Sequence, residues 1–268
     1  PCSTSERSWG YVARIESVIC ARRRWRRAQV VDSILAPYPQ LRASPRSHTM
    51  DRLDASWFRL WRGLGAAGDR DAELDDLKKR YSEPWRKYHT LQHLTECVEQ
   101  FAATSHLAER PFEVEAALWF HDAVYDVRAH DNEDRSAELA RKVLGGAGVE
   151  RGAVEHVADL VLATKHRALP MTQDAKLLVD IDLSILGAPA PRFDEYELQI
   201  RAEYSFVPDA VFNAGRSAVL RAFLDRRRIY STEHFHEQLG ETARANLARS
   251  LAALGGSAPH AAPELGAD

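Results

Sequence analysis

Four short runs mix side chains that bind metals or carry protons with the apolar residues of helix interiors. They are Tyr88-His89-Thr90-Leu91-Gln92-His93-Leu94, Trp119-Phe120-His121-Asp122-Ala123, Thr164-Lys165-His166 and Val179-Asp180-Ile181-Asp182-Leu183. An ionised Asp is expensive to bury alone, and a buried His needs a partner. A shared divalent cation would satisfy them together. Two His and two carboxylates suit an octahedral ion such as Mn, Fe, Co, Ni or Mg better than a closed tetrahedral Zn site, with Zn as the alternative. An ion with open positions supplies hydroxide from bound water at neutral pH and screens phosphoryl charge, which is hydrolytic chemistry.

Spacing limits which side chains can meet. His89 and His93 stand four apart and share a face if their helix begins by Tyr88. His121 and Asp122 are consecutive, so one ion can reach both only over the helix edge between them. Asp180 and Asp182 point to different sides of their helix, which leaves one of the pair as a ligand. His89, Glu96 and Glu133 are candidate general acids or bases. Arg86, Lys165, Arg201 and Arg216 are candidate phosphate contacts, Arg because its fork matches phosphate oxygens. Cys97 extends the His89/His93 face by four and reads as a core thiol. His234 and His236 read as solvated residues near a helix start.

The elements that would position these groups are helices. Leu53, Trp57, Leu60 and Leu64 recur at helical spacing before Gly65, and Leu74, Leu77 and Tyr81 continue the period to Pro84. Residues 90–107 place Leu91, Leu94, Val98 and Phe101 on one face. Pro111 opens a helix expected to reach about Asp126. Asp131 or Asn132 caps the next, which ends at Gly145-Gly146. Further helices are expected up to His166, from Thr172 to Gly187, and over 193–204, 208–226 and 232–254. No alternating strand pattern, internal repeat or linker interrupts residues 50–254, so one all-helical domain is the economical reading. Residues 255–268 are Gly/Ala/Pro-rich and expected to be disordered.

The series resembles the HD superfamily of metal-dependent phosphohydrolases, whose pattern is a His, an adjacent His-Asp pair and a distant Asp, all on helices. His93 matches the first His, His121 and Asp122 the pair, and Asp182, within Leu-Val-Asp-Ile-Asp-Leu-Ser-Ile-Leu-Gly, the last Asp. The resemblance is closer to an uncharacterised bacterial branch of predicted HD phosphohydrolases. It rests on the run from Tyr81 to His89, Phe120 to Asp126, Asp131-Asn132-Glu133, Ile200 to Tyr204 and Gly215-Arg216, and it covers about Leu53 to Leu254. It implies an HD-type helical bundle with additional C-terminal helices. It also implies metal at His93, His121, Asp122 and Asp182, and a small phosphorylated substrate such as a nucleotide. His89 and His166 lie where some branches bind a second metal or a substrate phosphate. Two other readings keep the scaffold: a di-iron oxygenase using His89 or His166, and a non-catalytic metal-stabilised ligand-binding module.

Charge divides the chain. Of 268 residues at net −3, the first 49 carry nine Arg and no Lys against three acidic residues, which leaves +6 there and −9 in residues 50–268. The acidic remainder disfavours long nucleic acid as its substrate. The basic stretch, with Arg22-Arg23-Arg24-Trp25-Arg26-Arg27 and an end at Met50, reads as upstream sequence from an early-set start, over a nucleic-acid arm or transit segment. Cys2, Cys20 and Cys97 form no disulfide framework, so a cytoplasmic setting is expected. No run of eighteen apolar residues spans a membrane. Trp57, Trp61 and Leu64 could cover either the core or a second copy of the chain.

Overall fold

A computed structural model describes residues 51–166 and 168–255. The basic extension over 1–49 and the tail after Gly255, for which disorder was expected, lie outside them. Among the described residues there are ten α-helices and no strand: α1 (Arg52–Gly63), α2 (Arg70–Tyr81), α3 (Leu91–Thr104), α4 (Pro111–Phe120), α5 (Asn132–Gly146), α6 (Arg151–Ala163), α7 (Gln173–Asp182), α8 (Ala190–Glu203), α9 (Asp209–Leu224) and α10 (Glu233–Gly255). Short 3-10 turns follow α3 at Ser105–Leu107 and α7 at Leu183–Gly187.

The helix starts are chemically marked. Asp69 accepts from the Ala72 N–H at 3.0 Å, Glu150 from Ala153 at 3.0 Å and Thr172 from Ala175 at 3.2 Å, each satisfying an amide that has no intrahelical partner. Pro111 sits in the first turn of α4, where its missing N–H costs nothing.

Helix α4 is the centre of the bundle because its sequence is apolar all round. Every residue from Val114 to Phe120 is buried, the single acid among them being Glu115. Glu115 is tied to Ser56 at 2.7 Å and to Arg59, and the Trp119 indole donates to the same Ser56 hydroxyl at 3.0 Å. Helices α1, α3, α5, α6 and α7 pack round α4. Trp57 and Trp61 of α1 are buried in this core, so they cover it rather than a partner. Helices α8 to α10 form the additional C-terminal layer, joined through the turn at Leu183–Gly187, which packs against both α8 and α10. A Cβ at Gly187 would stand 2.6 Å from Leu239 Cβ, so only glycine permits that approach.

Three expected helix ends move. Helix α4 stops at Phe120 instead of reaching Asp126, helix α3 starts at Leu91 behind a Thr90 cap, so His89 precedes it, and α6 ends at Ala163, short of His166. The stretch expected to run helically to Gly187 changes from α to 3-10 after Asp182. Among the described residues, no helix is long and apolar enough to cross a membrane.

Candidate metal centre

Three helices bring four donors together. His93 lies in the first turn of α3, His121 caps the C-terminus of α4 with Asp122 following it, and Asp182 is the last residue of α7. His93 Nε2 stands 3.1 Å from His121 Nε2, 3.6 Å from Asp122 Oδ2 and 3.3 Å from Asp182 Oδ1. His121 Nε2 is 3.1 Å from Asp122 Oδ2 and 3.7 Å from Asp182 Oδ1. Donors bound at about 2.1 Å to one ion stand about 3.0 Å apart in an octahedron and about 3.4 Å apart in a tetrahedron. These five separations lie near the range expected for donors around one divalent cation.

His121, still with helical dihedrals, and Asp122 leave the end of α4 in a turn. Tyr81, Arg86 and the start of α5 hold the turn. The Tyr81 hydroxyl donates to Trp119 O at 3.2 Å and accepts from the Asp122 N–H at 3.3 Å. Ser136 accepts from the Val124 N–H at 3.0 Å, and Asn132 bonds both backbone groups of Asp126.

Arg86, expected at phosphate, has a buried guanidinium, and each of its three nitrogens donates within the fold. It donates to Glu83 at 2.9 Å and to the carbonyls of His89, Asp122 and Ala123 at 3.3, 2.6 and 3.2 Å. Its role is to fasten the segment before α3 to the turn that carries Asp122.

The second ring nitrogen of His121 fixes its orientation, as Nδ1–H donates to Leu118 O at 2.7 Å and leaves Nε2 for the centre. Burial opposes charge on this imidazole, but Asp122 and Asp182 outweigh it and raise its pKa to about 9. Burial likewise disfavours ionised Asp122, yet His121, His89 and His93 hold it below the usual carboxylate range. Asp182 is also held low against burial, by hydrogen bonds from His166 and His93.

His93, Cys97 and His121 also offer buried ligand atoms within 4.8 Å of one another. Cys97 Sγ is 3.7 Å from both ring nitrogens of His93, which places it on the plane midway between them. An ion on the Nε2 lone pair would stand about 3 Å off that plane, beyond a metal–sulfur bond of about 2.3 Å. Burial and the neighbouring Asp182 and Asp122 push the thiol pKa up. Cys97 packs beside the centre as a neutral thiol.

Asp180, two residues before Asp182, faces elsewhere: its carboxylate accepts from Ser231 N, Thr232 N and Thr232 Oγ1 at 2.8, 2.6 and 2.7 Å. The expectation that only one of these Asp residues reaches the centre matches this geometry.

His166 and His89 flank the four donors differently. His166 Nε2 lies 3.3 Å from Asp182 Oδ2, the oxygen not turned to His93, and its backbone is left-handed at φ 52°, a conformation that costs energy in a non-glycine residue. His89 is outside the four-donor cluster. Its ring stacks on Tyr125 with centroids 4.1 Å apart, and Nδ1 is 2.8 Å from Glu203 Oε2. Glu203, not picked out in advance, is the organiser here: Oε1 accepts the amides of Lys87, Tyr88 and His89 at 2.8, 2.9 and 3.2 Å, while Oε2 also takes the Tyr125 hydroxyl at 2.8 Å. Burial opposes its charge, but His89 leads the contacts that bring its pKa down to about 2. The sequence did carry a signal, since Phe193, Tyr196, Ile200 and Glu203 share the buried face of α8 at spacings of three and four.

Other expected site residues are engaged apart from the four donors. Both Glu96 oxygens accept from Arg192, at 2.6 and 3.0 Å. Lys165 pairs with Asp134 at 2.5 Å. Arg201 closes the end of α8 on Tyr204 O, Val207 O and Asp209. Arg216 is half-buried against Tyr196 and Glu197. In this structure each of these four side chains makes contacts within the fold. Glu133 lies in the first turn of α5.

No protein-family model, curated protein or solved structure matches this chain.

Proposed function

We propose that this protein is a metal-dependent phosphohydrolase acting on a small phosphorylated molecule, in line with its resemblance to the HD superfamily. The supporting observation is the approach of His93, His121, Asp122 and Asp182 to within 3.1–3.7 Å in the five measured pairs. These four residues would hold the ion. A divalent ion there supplies hydroxide at neutral pH and screens the charge of the phosphoryl oxygens. The chain's own contribution is placement: Leu118 O sets the His121 ring, and Arg86 and Tyr81 hold the backbone of Asp122. Beside them the Glu203-oriented His89 offers a ring able to take or give a proton.

The test is elemental analysis of protein purified without chelator, then assays with Mn, Co, Ni and Mg against nucleotides and generic phosphoesters. Metal-dependent turnover that disappears in Asp122→Ala is expected. Metal-loaded protein inactive on every phosphoester would overturn the proposal.

A second reading has its own observation. Asp182 divides its oxygens, Oδ1 toward His93 and His121 and Oδ2 toward His166, which is the disposition of a carboxylate shared by two ions. A di-iron oxygenase would contain two irons per chain and consume oxygen with substrate. One non-iron ion per chain removes that reading.

A further inference from the structure

A cleft of about 690 Å³ lies beside the metal centre, bounded by the segments 83–87 and 123–128 and by residues around Glu203 and Phe206. It falls within the range of about 300–1,000 Å³ typical of small-molecule sites. His93, His121, Asp122 and Asp182 do not line it, whereas Tyr125 and Glu203 both line it and hold His89.

Its charges are unevenly balanced. Lys87 Nζ donates only to Pro84 O, at 2.8 Å, and the Arg128 guanidinium lies over the Phe206 ring, 4.5 Å from its centroid. Among the described residues, neither Arg128 nor Arg135 has an ion-pair partner for its side chain. The acids of the same cleft are mostly spent: Glu83 holds Arg86, and Glu203 holds His89, Tyr125 and three amides. Only Asp126 remains, and one of its oxygens accepts the backbone N–H of Arg128 at 2.9 Å. Three cations facing one acid within a domain of −9 make a local reversal of sign that general surface charge does not explain.

The cleft also offers aromatic surface. Trp85 is 55% exposed although its indole N–H is directed to Tyr125 O at 3.4 Å, and Phe206 lies under Arg128. The exposed Trp85 ring, beside guanidinium and ammonium groups without a carboxylate partner among the described residues, matches a planar ring that carries phosphate.

We infer that this cleft is a binding site, distinct from the metal centre, for a nucleoside phosphate. It does not depend on the hydrolase reading, because it needs neither the ion nor the four donors.

The test is calorimetric titration of chelator-treated full chain with ATP, inorganic triphosphate and adenosine. ATP should bind more tightly than either fragment. The double variant R128A/R135A should weaken ATP by about tenfold or more, as expected for lost charge-assisted contacts. Trp85→Ala should weaken ATP by about fivefold or more and leave triphosphate unchanged. Asp122→Ala should bind ATP as the parent does. Trp85, Arg128 and Arg135 are exposed, and circular dichroism checks the fold of every variant. Equal ATP affinity in R128A/R135A, or ATP binding lost in Asp122→Ala, would overturn the inference, as would no binding at all. A hydrolase that fails its own assay leaves these outcomes untouched.

Discussion

At the scale of single residues, closeness and ligation separate. Asp122 and Cys97 both lie within 4 Å of His93 Nε2, yet only the carboxylate is directed so that it and the imidazole nitrogens can share an ion. Asp122→Ala is expected to lower metal affinity by about 100-fold or more, since even outer partners of metal ligands are worth about 10–100-fold. Cys97→Ala should keep its metal through dialysis. Elemental analysis of the two variants decides the matter, and equal metal loss in both would return the ion to the His–Cys–His trio. Glu203 invites a different measurement. Its folded pKa of about 2 lies below the ordinary glutamate value of 4.5, so the carboxylate adds stability at pH above 4.5 and loses it as pH falls toward 2. Glu203→Gln should therefore be less stable than the parent by about 1–3 kcal/mol at pH 7. That gap should narrow as pH falls from about 5 to 2. Denaturant unfolding across this range gives both curves, and a gap independent of pH would remove the charge from the account.

At the scale of elements, helix α7 shows how one segment serves two tasks. Asp180 is buried and satisfies amides at the entry to α10, while Asp182, at the helix end, meets His93 and His166. The two substitutions should thus separate stability from metal binding. Asp180→Ala leaves two amides and a hydroxyl without their acceptor at a cost of about 1–3 kcal/mol. For a domain of this size that lowers Tm by about 2–12 °C. Its metal content should remain that of the parent. Asp182→Ala should show the reverse, near-parental Tm in metal-free buffer and lost metal. Thermal melts with elemental analysis of the same samples test the pair, and metal loss in Asp180→Ala at full stability would show that α7 has been assigned the wrong face. The end of α4 illustrates the converse limit. The apolar run to Phe120 was readable, but its end is set by Tyr81 and Arg86, on elements whose approach has no local sequence mark.

At the scale of the whole molecule, what was legible follows from the range of the interactions. Helical period and caps are local, so the all-α architecture and most of its elements could be read from spacing. The four residues that converge could also be picked out, because ligand-type residues stand out within apolar runs and their series resembles a known one. The roles of Arg86, Arg201 and Arg216 could not, since an Arg that binds phosphate and one that ties loops together look the same until the carbonyls around it are placed. The cleft beside Tyr125 was invisible for the same reason, being assembled from segments more than a hundred residues apart. Charge is the remaining global property, and it yields a prediction. With +6 in residues 1–49 and −9 in the rest, adhesion of the full chain to DNA or RNA should come from the extension and fall steeply with salt, by a log–log slope of about −0.7 to −0.9 per phosphate contacted. The described core runs from Leu53 to Leu247 and the four donors from His93 to Asp182, so a 50–268 chain should keep its helical signal and metal content while losing that adhesion. Binding measured for both chains from about 50 to 200 mM salt tests it. Equal binding by the shorter chain, abolished in R128A/R135A, would move the source of adhesion from the extension to the cleft.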